Sequence, residues 1–243
     1  MNRRFFGDTR DLFKFDLVRH IMKAFPDLMS FTFVPMLTEE EKPTGTKKTA
    51  SKDLGLAQKN GKAGTQNHEL MVDMGRLQEI DDDLAYFHGI QSYFNKENII
   101  VDVLHKDTFS HEHRESYFKK VFEKFPEKSL IFLDPDTGLE VKNPTQRHLL
   151  FDEVKKVYDY MDNYSILMIY QHIPRVIRAG YIKKRCKDIA AITRSGPETI
   201  TDNEIVFFIL TKNPQLKTRL CAVLGDYAEK YNTLSACDCT GKE

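Results

Sequence analysis

The sequence predicts an α/β fold: a doubly wound, mostly parallel sheet with helices on both faces and one strand near the C-terminus antiparallel. Short apolar runs bounded by turn residues recur along the chain. The clearest is Leu130, Ile131, Phe132 and Leu133, within residues 129–140 (SLIFLDPDTGLE). Such runs read as strands buried on both faces, and these belong to parallel sheets covered by helices. Segments with helical periodicity alternate with them. The last two expected strands leave no room for a helix between them, so one should run antiparallel.

Taken in order, Asp8 can cap a helix running to about Phe25, with Asp11 three residues on in a capping-box-like arrangement. Phe13, Leu17, Val18, Ile21 and Phe25 give that helix one apolar face. Residues 30–37 (SFTFVPML) read as the first strand, and Pro35 marks where it leaves the ladder. Residues 38–68 carry three glutamates, six lysines and little apolar content. A mobile surface insertion is therefore expected at about 38–68. Gly55 and Gly61-Lys62 lack both the spacing and the hydroxyl of a phosphate loop.

Residues 69–74 (ELMVDM) read as a short strand. Leu77, Ile80, Leu84, Phe87 and Phe94 mark a helix, 98–104 a strand, and Tyr117, Val121, Phe122 and Phe125 another helix. After the central strand at 129–134, Asn143-Pro144 has helix-start chemistry, with Leu150, Val154, Val157, Tyr158 and Met161 as the buried stripe. Residues 165–170 (SILMIY) read as a buried strand, and a basic helix follows Pro174. Residues 189–193 and 205–210 read as strands. Asn213-Pro214 opens a last helix carrying Leu216, Leu220, Val223, Leu224, Tyr227 and Tyr231.

A chain of 243 residues can bury one sizeable core, so a single domain over 1–243 is expected. Acidic and basic residues balance at 36 each, which removes any global field for nucleic acid or membrane. Cys186, Cys221, Cys237 and Cys239 show no CxxC spacing and read as free thiols of a reducing compartment. The start has no apolar signal core and no run approaches membrane-spanning length. A cytoplasmic protein without a membrane partner is expected.

In open α/β sheets, ligands bind beyond the carboxyl ends of the strands. Asp134 and Asp136 stand at such an end. Two carboxylates ionising close together raise one pKa and make an acid–base pair. The bland alternative is that Asp134 accepts backbone donors and Asp136 starts an Asx turn. A metal reading adds His105 and Asp107 from the preceding strand, since carboxylate oxygens suit magnesium or manganese. Gln171, His172 and Arg175 follow another strand's carboxyl end. Arg175, Arg178, Lys183, Lys184, Arg185 and Lys187 form a basic run, either a solvated face or a phosphate-binding one.

Two motifs and the element layout carry a resemblance. Gly7-Asp8-x-x-Asp11-Leu12-x-Lys14 opens the first helix, an apolar strand ends in Asp134-Pro135, and a closing hairpin-like strand pair ends in Asn213-Pro214. This resembles the Rossmann-like S-adenosylmethionine-dependent methyltransferases. Nearest are the bacterial enzymes that methylate an adenine amino group of large-subunit ribosomal RNA, with Gly-Asn-x-Ala-Asp-Val-Leu-Lys in the helix and Asp-Pro-Pro-Tyr after the fourth strand. The resemblance implies Asp134 and Pro135 as catalytic residues, Asp134 orienting the accepting amine; Asp136, which follows them in this chain, is expected to assist with protons. It implies S-adenosylmethionine as cofactor, bordered by Lys14, Asp8, Thr38 and Asp107. RNA or DNA is the expected partner, with Arg175, Arg178, Lys183 and Lys184 of the basic run as its contacts. Two departures stand out. Met36-Leu37-Thr38-Glu39 replaces the family's glycine turn, and Asp136-Thr137 replaces its second proline and tyrosine. Two other readings stay open: a metal-dependent phosphoester hydrolase or nuclease using Asp107, Asp134 and Asp136, and a non-catalytic binding member of the fold.

Overall fold

The structure, a computed structural model, describes residues 1–38, 52–104 and 107–238. Expectations resting on 39–51, on His105, and on the side chains of Cys237 and Cys239 lie outside the described residues. After a 3-10 turn at Arg3–Phe5 come α1 (Thr9–Ala24), β1 (Ser30–Val34), α2 (Leu54–Lys59), α3 (His68–Leu77), α4 (Asp83–Lys96), β2 (Val101–Val103) and α5 (Arg114–Phe122). There follow β3 (Ser129–Leu133), β4 (Gly138–Leu139), β5 (His148–Leu149), α6 (Phe151–Tyr160), β6 (Ile166–His172), α7 (Arg178–Thr193), β7 (Glu198–Thr201), β8 (Ile205–Thr211), α8 (Pro214–Ala228) and β9 (Ser235–Asp238).

The main sheet runs β2-β1-β3-β6-β8-β7-β9. β2, β1, β3 and β6 pair in parallel. β8 then runs against β6, β7 against β8 and β9 against β7. The chain is thus α/β with a mostly parallel central sheet, and the expected antiparallel strand near the C-terminus is present. Every residue of β1, β3 and β8 is buried, because alternate side chains feed two apolar clusters. Phe31, Phe33, Leu130 and Phe132 join residues of α1, α3, α4 and α8. Val34, Ile131, Leu133, Leu167 and Ile169 join residues of α5, α6 and α7. Each such side chain contributes about 1.5–3 kcal/mol on leaving water, so strand residues that point either way resist replacement by polar ones.

α1 starts as expected: Asp8 Oδ1 accepts the amides of Arg10 at 2.8 Å and Asp11 at 3.1 Å. Asp11, however, reaches back to Gly7 N at 3.0 Å, one residue earlier than a capping box uses. Gly7 makes this possible with φ +69, and a Cβ there would lie 2.5 Å from Met74 O. Only glycine tolerates both.

Several expectations are corrected. Residues 69–74 lie in α3, whose Leu70, Met74 and Leu77 are buried at helical spacing. The helix expected from Leu77 divides: Leu77 ends α3, and α4 starts after the cap made by Asp82 to Ala85 N at 2.7 Å. Asn143-Pro144 starts no helix. It sits between β4 and β5, and α6 begins at Phe151 with its first amides held by Glu153 and Glu140 at 2.8 and 2.6 Å. Two carboxylates there do what an asparagine cap would do. Residues 189–193 are the end of α7, where Ile189 and Thr193 share its buried face. β9 was not expected. Within the expected surface insertion, residues 52–68 hold α2 and bury Ala57, Ala63 and Thr65. Cys186 is disulfide-bonded, not a free thiol. Among the described residues, no helix is long and apolar enough to cross a membrane.

Candidate active site

A cavity of about 550 Å³ opens at the carboxyl ends of β3 and β6, within the usual range for a small-molecule site. α1 forms one wall through Asp8, Arg10, Asp11 and Lys14. The segment after β3 contributes Asp134, Pro135, Asp136 and Thr137, β6 contributes Tyr170 and His172, and the β7–β8 turn contributes Glu204. α2 and its flanks close the far side with Asp53, Leu56, Ala57, Asn60 and Lys62. The sheet positions the floor, and the stretch expected to be a surface loop supplies the roof.

At the centre, Lys14 Nζ donates to Asp134 Oδ2 at 3.0 Å and to Asp11 Oδ1 at 3.1 Å. Its ammonium also lies 4.4 Å from the centre of the Tyr170 ring. Asp11 Oδ2 accepts Tyr86 Oη at 2.6 Å as well as the Gly7 amide. Asp134 is fully buried. Its other oxygen, Oδ1, has no hydrogen-bond partner among the described residues, and neither has Asp8 Oδ2. An unpaired buried acceptor costs about 1–3 kcal/mol. Both oxygens belong to residues that line the same cavity, just behind its surface.

Three buried carboxyls, Asp8, Asp11 and Asp134, lie around the ammonium of Lys14, and the buried Met1 amine sits beside Asp134. Burial opposes the charge on Lys14, but Asp134 and Asp11 outweigh it and raise its pKa, so it stays protonated. Burial raises the carboxyl pKa of Asp134 against the pull of Lys14. Burial and then Asp11 push Asp8 up to about 7. Burial therefore keeps a proton on Asp8 at pH values below about 7.

The rim is more conventional. Glu204 accepts Lys62 Nζ at 3.0 Å and Arg10 Nη2 at 3.2 Å. Burial alone would raise its pKa, but these two cations bring it below the usual carboxylate range. Arg147 Nε donates to Asp136 Oδ2 at 2.5 Å. Asp134 and Asp136 are thus each held by a separate cation, Lys14 and Arg147.

At the end of β1, Met36 takes φ +41 where the family resemblance would place glycine. Positive φ costs a residue with a side chain of order 1–3 kcal/mol. The turn is held by Tyr117 Oη, which accepts Met36 N at 3.1 Å, and by the Met1 amine, which donates to Met36 O at 3.1 Å and Asp134 O at 2.9 Å.

The structure thus brings Asp8, Lys14, Asp134, Pro135 and Asp136 to one cavity. Thr38 is not on its wall: its amide and hydroxyl both bond Met1 O, at 2.9 and 3.2 Å. Asp107 is 75% exposed, with Lys120 Nζ at 3.8 Å, and does not line the cavity. Among the described residues no group of three or more His, Cys, Asp or Glu is placed to hold a metal ion. Arg175, Arg178, Lys183 and Lys184 are exposed and outside the cavity, whereas Arg185 turns inward onto Asp188 at 3.4 Å.

Sequence reasoning missed Arg10, Lys62, Arg147, Tyr170 and Glu204, and took Asp11 for a helix cap. Only the i, i+3 spacing of Asp11 and Lys14 was a readable signal for a pair. Fold and site together define an α/β protein with a ligand cavity at the carboxyl ends of a mostly parallel sheet. No protein-family model matches the chain, and no curated protein matches it in sequence.

Proposed function

We propose that the protein is a methyltransferase-like enzyme of the doubly wound, Rossmann-like kind, acting on a nucleic acid or nucleotide from the cytoplasm. The observation that carries this reading is a meeting of two motifs 120 residues apart. Lys14, from the helix motif, holds Asp134 Oδ2 at 3.0 Å, and Asp134, a cavity-lining residue, keeps Oδ1 unpaired among the described residues. Apolar clusters on both faces of the sheet, and β8 running antiparallel between β6 and β7, support the fold part of the reading.

In this reading Asp134 Oδ1 accepts the hydrogen bond of a substrate amino group. Lys14 fixes the carboxylate's orientation, and Asp8, poised near neutrality, takes up or releases a proton. Asp136, held by Arg147, orients the rim. A cationic cofactor suits the unpaired acceptor of Asp8, so Asp8 and Lys14 would border S-adenosylmethionine. When bound, it supplies an electrophilic methyl group.

Thermal melts with S-adenosylmethionine and with its demethylated product test the reading. A ligand at a hundred times its Kd adds about 2.7 kcal/mol, or roughly 5–11 °C for a chain of this size. Asp134→Asn should keep the fold and donor binding while methyl transfer to RNA or DNA falls about a hundred- to ten-thousandfold. No shift with either ligand refutes the methyltransferase reading.

A further inference from the structure

Five residues beyond the cavity, the chain makes an exposed tip that the proposed chemistry does not use. β6 ends at His172 on the cavity wall, and Pro174, Arg175, Val176, Ile177 and Arg178 follow, all exposed. Ile177 is 85% exposed and Val176 56%. Burying apolar surface drives folding, yet this tip leaves two adjacent β-branched side chains in water. Isoleucine is also a poor helix cap, and Ile177 occupies the N-cap of α7 with no side-chain cap bond. Neither residue is explained by the stability of its own element.

The tip is firmly moored. Val176 N donates to Pro174 O at 2.7 Å. Arg178 Nη1 donates to Asp202 O at 3.1 Å and also to Asn203 Oδ1. Ile173 N and His172 Nδ1 both donate to Glu204 O, at 2.8 and 2.9 Å. The turn that gives Glu204 to the cavity therefore also carries the tip. Five residues span at most about 17 Å, so Ile177 stays close to the cavity mouth.

Charge separates the two places. On the cavity wall Arg10, Lys14, Lys62 and Arg147 are each already bonded to a carboxylate, which disfavours phosphate inside it. Arginines flank the apolar pair outside, and Lys183, Lys184 and Lys187 lie within about 100° on one exposed side of α7. A phosphate backbone fits that outer surface, and an uncharged base fits the cavity. We propose that Val176 and Ile177 form a wedge that enters an opened base step of a structured nucleic acid while the displaced base occupies the cavity. Proteins that unstack bases insert apolar side chains in this way and hold the backbone with flanking basic residues. The inference rests on the proposed function and narrows its substrate to a folded or duplex nucleic acid, excluding a free nucleotide.

The test uses the full chain, a structured RNA hairpin and its DNA counterpart, each with 2-aminopurine in the stem, and anionic phosphatidylserine vesicles. The parent should bind a hairpin and brighten its 2-aminopurine. The exposed double variant Val176→Ser/Ile177→Ser should melt with the parent, bind about tenfold or more weakly, lose the brightening and keep the salt slope. Arg175→Gln/Lys184→Gln, which leaves the Arg178 mooring intact, should instead flatten the salt slope by about two contacts. Three results overturn the wedge: no hairpin binding by the parent, unchanged binding and brightening in the serine variant, or vesicle binding that the serine variant loses. Donor melts run alongside separate the two readings. A wedge effect without a donor shift keeps the wedge and removes the methyltransferase.

Discussion

Asp8→Asn tests whether the buried carboxyl excess of the cavity is real. Asp8 caps α1 with one oxygen and has no partner among the described residues for the other. Burial, then Asp11, raises its carboxyl from 3.8 to about 7. A carboxyl raised in this way stabilises the fold in its protonated form. That contribution is complete below the unfolded value near 3.8 and is lost as pH climbs through about 7. Holding it ionised at pH 8 costs at most about 4 kcal/mol, at 1.36 kcal/mol for each pH unit between the two values. Asparagine keeps Oδ1 for the Arg10 and Asp11 amides and caps a helix as well as aspartate. The variant should therefore match the parent at about pH 4 and exceed it at about pH 8, by up to about 4 kcal/mol. For a chain of this length that is roughly 8–16 °C in Tm. Urea unfolding and thermal melts between these two pH values read it directly. A variant that gains nothing at the higher pH, or loses equally at both, refutes burial as the source of the raised pKa.

Two further substitutions probe the same architecture. Lys14→Met leaves Asp11 and Asp134 buried without their ammonium and should cost about 3–5 kcal/mol near neutral pH. Denaturant titration should show that deficit shrinking in acid as the carboxyls protonate, and a pH-independent loss would count against the ion network. Gly138→Ala places a Cβ 2.4 Å from the Gln171 side chain at a backbone φ of +121. It should destabilise by about 1–3 kcal/mol, and an unchanged Tm would show that Gln171 moves aside without cost.

The strands were legible where both faces are buried. Residues 130–133 and 205–210 are continuous apolar runs because helices cover each side of the sheet. Residues 189–193 form a similar run but belong to a helix, since Ile189 and Thr193 also satisfy the helical spacing. Asn143-Pro144 misled because its local chemistry serves a loop as readily as a helix start. Asp134 was readable from its place after an apolar strand, and Lys14 from the resemblance. Lys62, Arg147 and Glu204 were not, because their meaning is tertiary: Lys62 and Glu204 meet across 142 residues.

The wide spacing of the α1 contacts has a consequence for synthesis. Lys14 meets Asp134 120 residues later, and Asp16 Oδ2 accepts Tyr227 Oη at 2.7 Å, 211 residues later. At about 5–20 residues per second, the helix waits about 6–24 s for Asp134 and about 10–42 s for Tyr227. Until α8 emerges from the ribosome, Phe13 lacks the ring of Tyr227 to pack against. A chain released before α8 therefore displays the face of the helix that Tyr227 would cover, and quality control can recognise it as unfinished.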